Sequence, residues 1–348
     1  MQNLIKKGAS FPITVMLSES HGTGNIVHWM NYFKEKYKET FGFRNTFPKP
    51  PIIHSDRALV FLLAAIEVFN FDETMARYIE RCWRIVQGTA NKRDLELTII
   101  HACLGHFMKS VKRNATKELS KKTGRNVLYL LIFSTGRRSL IYISKVPFGM
   151  WLAALLVNSS TFDEMIIVWE NICIVLISTN QNDRFKMLLS LLSQMADKMN
   201  KEPDKANDVL KNVTVTSKIQ CQSDLDKNAY ENDENDLPLG EEDAVLQIES
   251  PFNELFTRIY EECKETLKVY DEPQWNNLPN NPLFSAAYLT RLLKLYMPTE
   301  PIWSNLLLGN FTSRYGYNSN FATVPCCCHT GRTTGVSESR MRVLKEAI

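Results

Sequence analysis

LELTIIHACLGHFMKSVKR, residues 95–113, decides the reading of the fold. Its first half, LELTIIHAC (95–103), alternates and is rich in β-branched residues, as a half-buried strand requires. Its second half has apolar residues at helical spacing, so a strand feeds a helix beginning near Leu104. A strand running directly into a helix is the unit of α/β folds, and the same unit occurs upstream. FPKPPIIHSD (47–56) holds a short apolar strand entered through prolines and ending at Asp56, and RALVFLLAAIEVFN (57–70) is an apolar helix.

Working outward, FPITVMLS (11–18) reads as a further strand. NIVHWMNYFKEKYKETF (25–41) reads as an amphipathic helix with Ile26, Met30 and Phe33 on one face. DETMARYIERCWRIVQG (72–88) is helical, with acids at its start and Gly88 at its end. After Arg125, NVLYLLIFS, LIYISKVPFGMWLAALLVNSS, TFDEMIIVWENICIVLIS and DRFKMLLSLLSQMADKM all read as helices. Residues 203–247 are polar, acidic and poor in aromatics, which predicts disorder. Helices resume at SPFNELFTRIYEECKETLKVY (250–270) and NPLFSAAYLTRLLKLYMP (281–298), followed by PIWSNLLLG, and VSESRMRVLKEAI (336–348) is the last. The expectation is an α/β core carrying a large all-α insertion, predominantly helical overall. Its parts are a core over 10–125, a helical insertion over 126–202, an acidic segment over 203–249, a continued insertion over 250–335, and a final helix over 336–348.

Length and charge narrow the class. The chain has 348 residues, with 44% hydrophobic and 23% charged residues, as in ordinary soluble domains. Its net charge of +3 hides a split. Residues 224–249 hold ten acids against Lys227, a net of −9 that leaves +12 for the remainder. A basic body suits a polyanion partner; a well-solvated surface loop is the other reading of the acidic insert. MQNLIKKGAS lacks the apolar stretch of a signal peptide, and Lys145 and Pro147 break the most apolar run. The chain is therefore read as nuclear or cytoplasmic, not secreted, with reduced thiols and no membrane partner.

Three features could carry chemistry. Asp56 stands where a strand gives way to a helix, the edge at which α/β folds place ligand sites. A carboxylate there either holds a hard cation such as Mg²⁺ or caps the following helix. Cys103 and His106 lie three apart at the next such junction, on one helical face. They are either half of a zinc set or a core thiol beside a hydrogen-bonded histidine. The consecutive Cys326, Cys327, Cys328 and His329 lack the paired spacing that a second half needs, so no zinc is assigned. The run Lys109, Lys112, Arg113, Lys117, Lys121, Lys122 and Arg125 sets seven bases against Glu118. It is either a phosphate track or a solvated helix face.

Taken in order, Asp56 after a strand, Cys-x₂-His after the next, a long helical insertion and then TTGVSESRMRVLK (333–345) resemble the Mutator-like transposases and their bacterial insertion-sequence relatives. MLSESH, HSDRALVFLLAAIEVFN, CLGHFMKSVKR, IESPFNELF, LPNNPLFSAAYL and PIWSNLLL carry the likeness along nearly the whole chain outside the acidic stretch. The resemblance implies an RNase H-like core with an Asp–Asp–Glu triad. Asp56 would be its second acid and Glu338 its third, with Cys103 and His106 as motif residues near the site. Such carboxylates hold Mg²⁺ or Mn²⁺ for attack on a phosphodiester, while basic residues position DNA without reading sequence. DNA, not a small molecule, would be the substrate.

The sequence departs from that pattern. It has no Asp before Asp56, where the family's first acid precedes MLSESH, and Gly335 stands where the third motif has Asn. The expectation is a transposase-derived, N-terminally truncated protein that binds DNA and is catalytically inactive. The rivals are an active transposase whose missing Asp lies upstream, and a helical interaction scaffold with no nucleic-acid role.

Overall fold

The computed structural model describes residues 22–42, 47–55, 57–119, 128–134, 137–143, 145–201, 249–268 and 278–318, with backbone alone for 128–143. Asp56, Lys121, Lys122, Arg125, Cys326–Cys328, His329 and Glu338 lie outside the described residues. So do the strand expected at 11–18, residues 203–248 of the acidic segment and the helix expected at 336–348.

The amphipathic helix α1 (Thr23–Phe41) leads to strand β1 (Ile52–Ser55), then to helices α2 (Leu59–Phe69), α3 (Met75–Val86) and α4 (Lys92–Glu96) and strand β2 (Ile99–Ala102). Strands β1 and β2 pair in parallel, with Ile52 opposite Ile99 and Ser55 opposite Ala102. A parallel pair needs a crossover, and α2 to α4 supply it. The expected strand 95–103 is shorter than its alternation suggests. Asn91 and Asp94 form a reciprocal capping box that starts α4, so Leu95 and Glu96 are helical and β2 begins only at Ile99.

The outer edge of β2 is closed by side chains. The Tyr78 hydroxyl donates to Ile100 O at 2.7 Å and accepts from Ile100 N at 2.9 Å. The Asn70 amide does the same for Thr98, accepting from its N–H at 2.9 Å and donating to its carbonyl at 3.0 Å. Arg81 fixes the crossover. It is buried, grips Glu73 with two bonds of 3.0 Å, and donates to the Asp94 and Thr98 carbonyls. A buried cation is tolerable only when its donors are filled in this way.

Helix α5 (Leu104–Leu119) follows β2 as the sequence predicts. The next segment corrects the all-α reading of 126–202. NVLYLLIFS and the start of LIYISKVPFG form an antiparallel hairpin, β3 (Leu128–Ser134) with β4 (Arg137–Ile143). Continuous apolar runs fit a strand or a buried helix equally. The β-branched and aromatic content, with Thr135-Gly136 between the two runs, is what favours the hairpin. Helices α6 (Lys145–Asn158), α7 (Phe162–Ile177), α8 (Asp183–Lys201), α9 (Pro251–Lys268) and α10 (Ala286–Leu295) follow. A 3₁₀ turn (Met297–Thr299) and two short helices, α11 (Glu300–Trp303) and α12 (Phe311–Tyr315), complete the described chain.

The helical part does not stand apart from the core. One continuous buried cluster runs from Leu62 in α2 to Phe311 in α12. Gly149 lets α6 approach α5 and α10, because a Cβ there would lie 2.8 Å from Leu119 Cδ1 and 3.0 Å from the Tyr288 ring. Trp169 on α7 donates to Phe256 O on α9 at 3.0 Å. The Trp303 ring stacks on Phe107 with centroids 4.4 Å apart, fastening α11 over α5. Among the described residues, no helix is long and apolar enough to cross a membrane.

Candidate nucleic-acid interface

Helix α5 divides cleanly by face. Leu104, Phe107, Met108, Val111, Ala115 and Leu119 are buried, the spacing of a core-facing stripe. Lys109, Lys112, Arg113, Thr116 and Lys117 are exposed and follow one another at helical spacing on the outside. The run's acid, Glu118, does not interrupt them. It is half-buried and accepts from Arg291 Nε of α10 at 2.7 Å. The outer stripe therefore carries four cations and no anion.

A polar seam anchors the helix beneath that stripe. Arg57, directly after Asp56, donates to Ser110 Oγ at 2.6 Å and lies 4.9 Å over the Tyr296 ring. Ser110 Oγ and Tyr296 Oη are 3.0 Å apart, and Asn114 Nδ2 donates to the same hydroxyl at 2.6 Å. Arg291 reaches Asn114 Oδ1 at 3.4 Å before turning to Glu118. Chains of hydrogen bonds in a low-dielectric interior hold their members in one arrangement. This seam ties the strand-to-helix junction after β1 to α5 and α10.

The two strand-to-helix junctions lie side by side. Cys103 N donates to Ser55 O at 2.7 Å, so the carboxyl ends of β1 and β2 lie at the same edge of the sheet. Cys103 is buried in the core and His106, one turn on, is half-buried. Strand residues His54 and His101 face each other with ring centroids 5.3 Å apart, and His101 Nε2 lies 2.9 Å from Ser304 O.

No family model, curated protein or solved structure matches this chain.

Among the described residues, no group of three or more His, Cys, Asp or Glu side chains could hold a metal ion. The carboxylates that the resemblance assigns to Mg²⁺, Asp56 and Glu338, lie outside those residues. Of the seven bases of the run, the structure aligns Lys109, Lys112, Arg113 and Lys117. Lys121, Lys122 and Arg125 lie outside the described residues.

Sequence reasoning missed the polar seam and the buried acid Glu300. Arg57, Ser110, Asn114, Tyr296 and Arg291 are scattered along the chain and share no motif. Polar residues at Ser110 and Asn114 on the apolar side of α5 were the available signal, since a buried polar group requires a partner. Glu300 is fully buried, and neither carboxyl oxygen makes a well-formed hydrogen bond among the described residues. Burial pushes its carboxyl up to about 8, slightly eased by the nearby Ser304 hydroxyl. The Cys82 thiol is likewise pushed up to about 12 by burial, which leaves it a poor nucleophile.

Proposed function

We propose that this protein is transposase-derived and binds DNA through the outer face of α5. The observation carrying the proposal is the unbroken stripe of Lys109, Lys112, Arg113 and Lys117, with Glu118 drawn aside to Arg291. From Lys109 to Lys117 the stripe is about 12 Å long at 1.5 Å per residue, the rise of three to four base pairs. Lysine and arginine set on a rigid helix at that length meet phosphates and carry no sequence information. The transposase ancestry rests on the sequence resemblance. The parallel pairing of β1 and β2, whose carboxyl ends are adjacent, supports it.

Binding through four phosphate contacts releases condensed counterions. Plotted against log salt, log affinity should fall with a slope of about −0.9 per contact. Replacing all four cations with alanine is expected to flatten the slope by about 3 to 4 units. Duplex titrations by fluorescence anisotropy across a salt series measure it. An unchanged slope removes α5 from the interface. If the parent has no affinity at low salt, the helical-scaffold reading takes its place.

The catalytic half of the resemblance is tested apart. If Asp56 and Glu338 share Mg²⁺, the ion stabilises the parent, and Asp56→Asn abolishes the increase in melting temperature. Equal stabilisation of both proteins breaks that pairing and leaves the α5 proposal untouched.

A further inference from the structure

A second surface is built by α1, the approach to β1 and the end of α2. The Tyr37 ring lies 4.6 Å from Phe41 and 5.2 Å from Phe47. Phe47 in turn meets Phe33 at 5.5 Å and Phe69 at 6.3 Å. Most aromatic clusters of this kind are core, and Phe33, Tyr37, Phe47 and Phe69 are half-buried accordingly. Two rings are not. Phe41 is 57% exposed and Phe71 is 73% exposed, the highest value among the large apolar side chains of the described residues.

Phe71 is held outward by an unusual backbone. Phe71 and Asp72 have successive φ values of +58° and +61°, a left-handed conformation that non-glycine residues seldom take. Hydrogen bonds from Asn70 N to Ile66 O and from Asp72 N to Glu67 O, both 3.0 Å, hold the turn. The bond from Asp72 N to Glu67 O is the six-to-one bond that caps the end of α2, and it sets Phe71 at the left-handed position where Gly or Asn is usual.

Cations accompany the rings. Lys49 Nζ sits 5.3 Å over the Phe71 ring while donating to Glu96 O at 2.8 Å. Lys34 Nζ sits 5.6 Å over Phe69 while donating to Val68 O at 2.9 Å. Each ammonium is fixed in place and keeps donors to spare, since a lysine has three. Acids stand beside them as well: exposed Asp72 near Lys34, and exposed Glu96 with half-buried Glu73 near Lys49.

We propose that this surface binds single-stranded nucleic acid, with Phe71 stacking on an unpaired base and Lys49 meeting the adjoining phosphate. An exposed ring beside a fixed cation matches a base joined to a phosphate, the pairing that single-strand sites use. Paired bases are stacked away inside a duplex and cannot offer a face to Phe71. A protein partner would call for a continuous apolar patch, whereas here a lysine stands over the most exposed ring. The proposal does not depend on α5.

The test uses the full chain and a fluorescein-labelled oligothymidylate of about 15 nucleotides, within the usual site size. Loss of one stacked base corresponds to about a five- to hundredfold weaker affinity, which is expected for Phe71→Ala and not for Phe71→Tyr. Duplex binding should be unchanged in Phe71→Ala and lost in the α5 alanine variant, so the two readings fail separately. The proposal is overturned if the parent does not bind the oligonucleotide, or if Phe71→Ala and Phe71→Leu bind it as tightly as the parent. It is also overturned if Phe71→Ala converts a dimer to a monomer in sedimentation without affecting oligonucleotide binding. The surface would then join two copies of the chain.

Discussion

Individual residues in this protein take on tasks usually left to larger units. Tyr78 and Asn70 complete the edge of β2 where a neighbouring strand would otherwise stand. Tyr78→Phe would leave Ile100 N–H and C=O buried without a partner, a loss of about 1–3 kcal/mol. Chemical denaturation should show that loss as a lower midpoint with an unchanged slope; a midpoint equal to the parent's would mean the edge is satisfied otherwise. Glu300 is the opposite case, an acid buried without adequate compensation. Its folded-state carboxyl titrates near 8, against an ordinary value of 4.5. Between those values the folded chain keeps a proton that the unfolded chain has released. Stability from this group is therefore full below about 4.5 and declines as pH rises towards 8. Glu300→Gln removes the titration, so its melting temperature should gain on the parent's steadily from pH 5 to about 8. Parallel curves for the two proteins would show that Glu300 does not hold its proton in the fold.

At the scale of elements, α5 shows how far sequence pattern reaches. Its start after a strand, its apolar stripe and its row of cations were all legible, because helical periodicity places residues three and four apart on one face. The removal of Glu118 from that row was not legible. It depends on Arg291, which lies far along the sequence and becomes a neighbour only when α10 packs on α5. The β3–β4 hairpin marks the other limit. Its first run is apolar from Leu128 to Phe133 and its second sets Arg137, Arg138 and Ser139 before LIYI, so no alternation separates strand from helix. The start of α4 turns on a capping box at Asn91 and Asp94 that outweighs the alternation of the residues after it. Local hydrogen bonding decided those boundaries, where side-chain pattern alone pointed the other way.

Over the whole molecule, the parallel pair and the helices that follow share one core. A two-strand parallel sheet has little stability by itself, and helices on its faces are the usual means of burying one. Here β2 is entirely buried, with Trp303 and its helix α11 packed beside it. Sequence alone determined the order of β1, α2, α3, β2 and α5, the predominance of helix and the basic row, because each follows from composition or period within a short window. Only tertiary structure decided that the helices behind β2 belong to the same core, that the seam from Arg57 to Glu118 exists, that Glu300 is shut away from water and that Phe71 is left in it. These are relations between residues far apart in the chain, set by which surfaces pack together, and no local period records them.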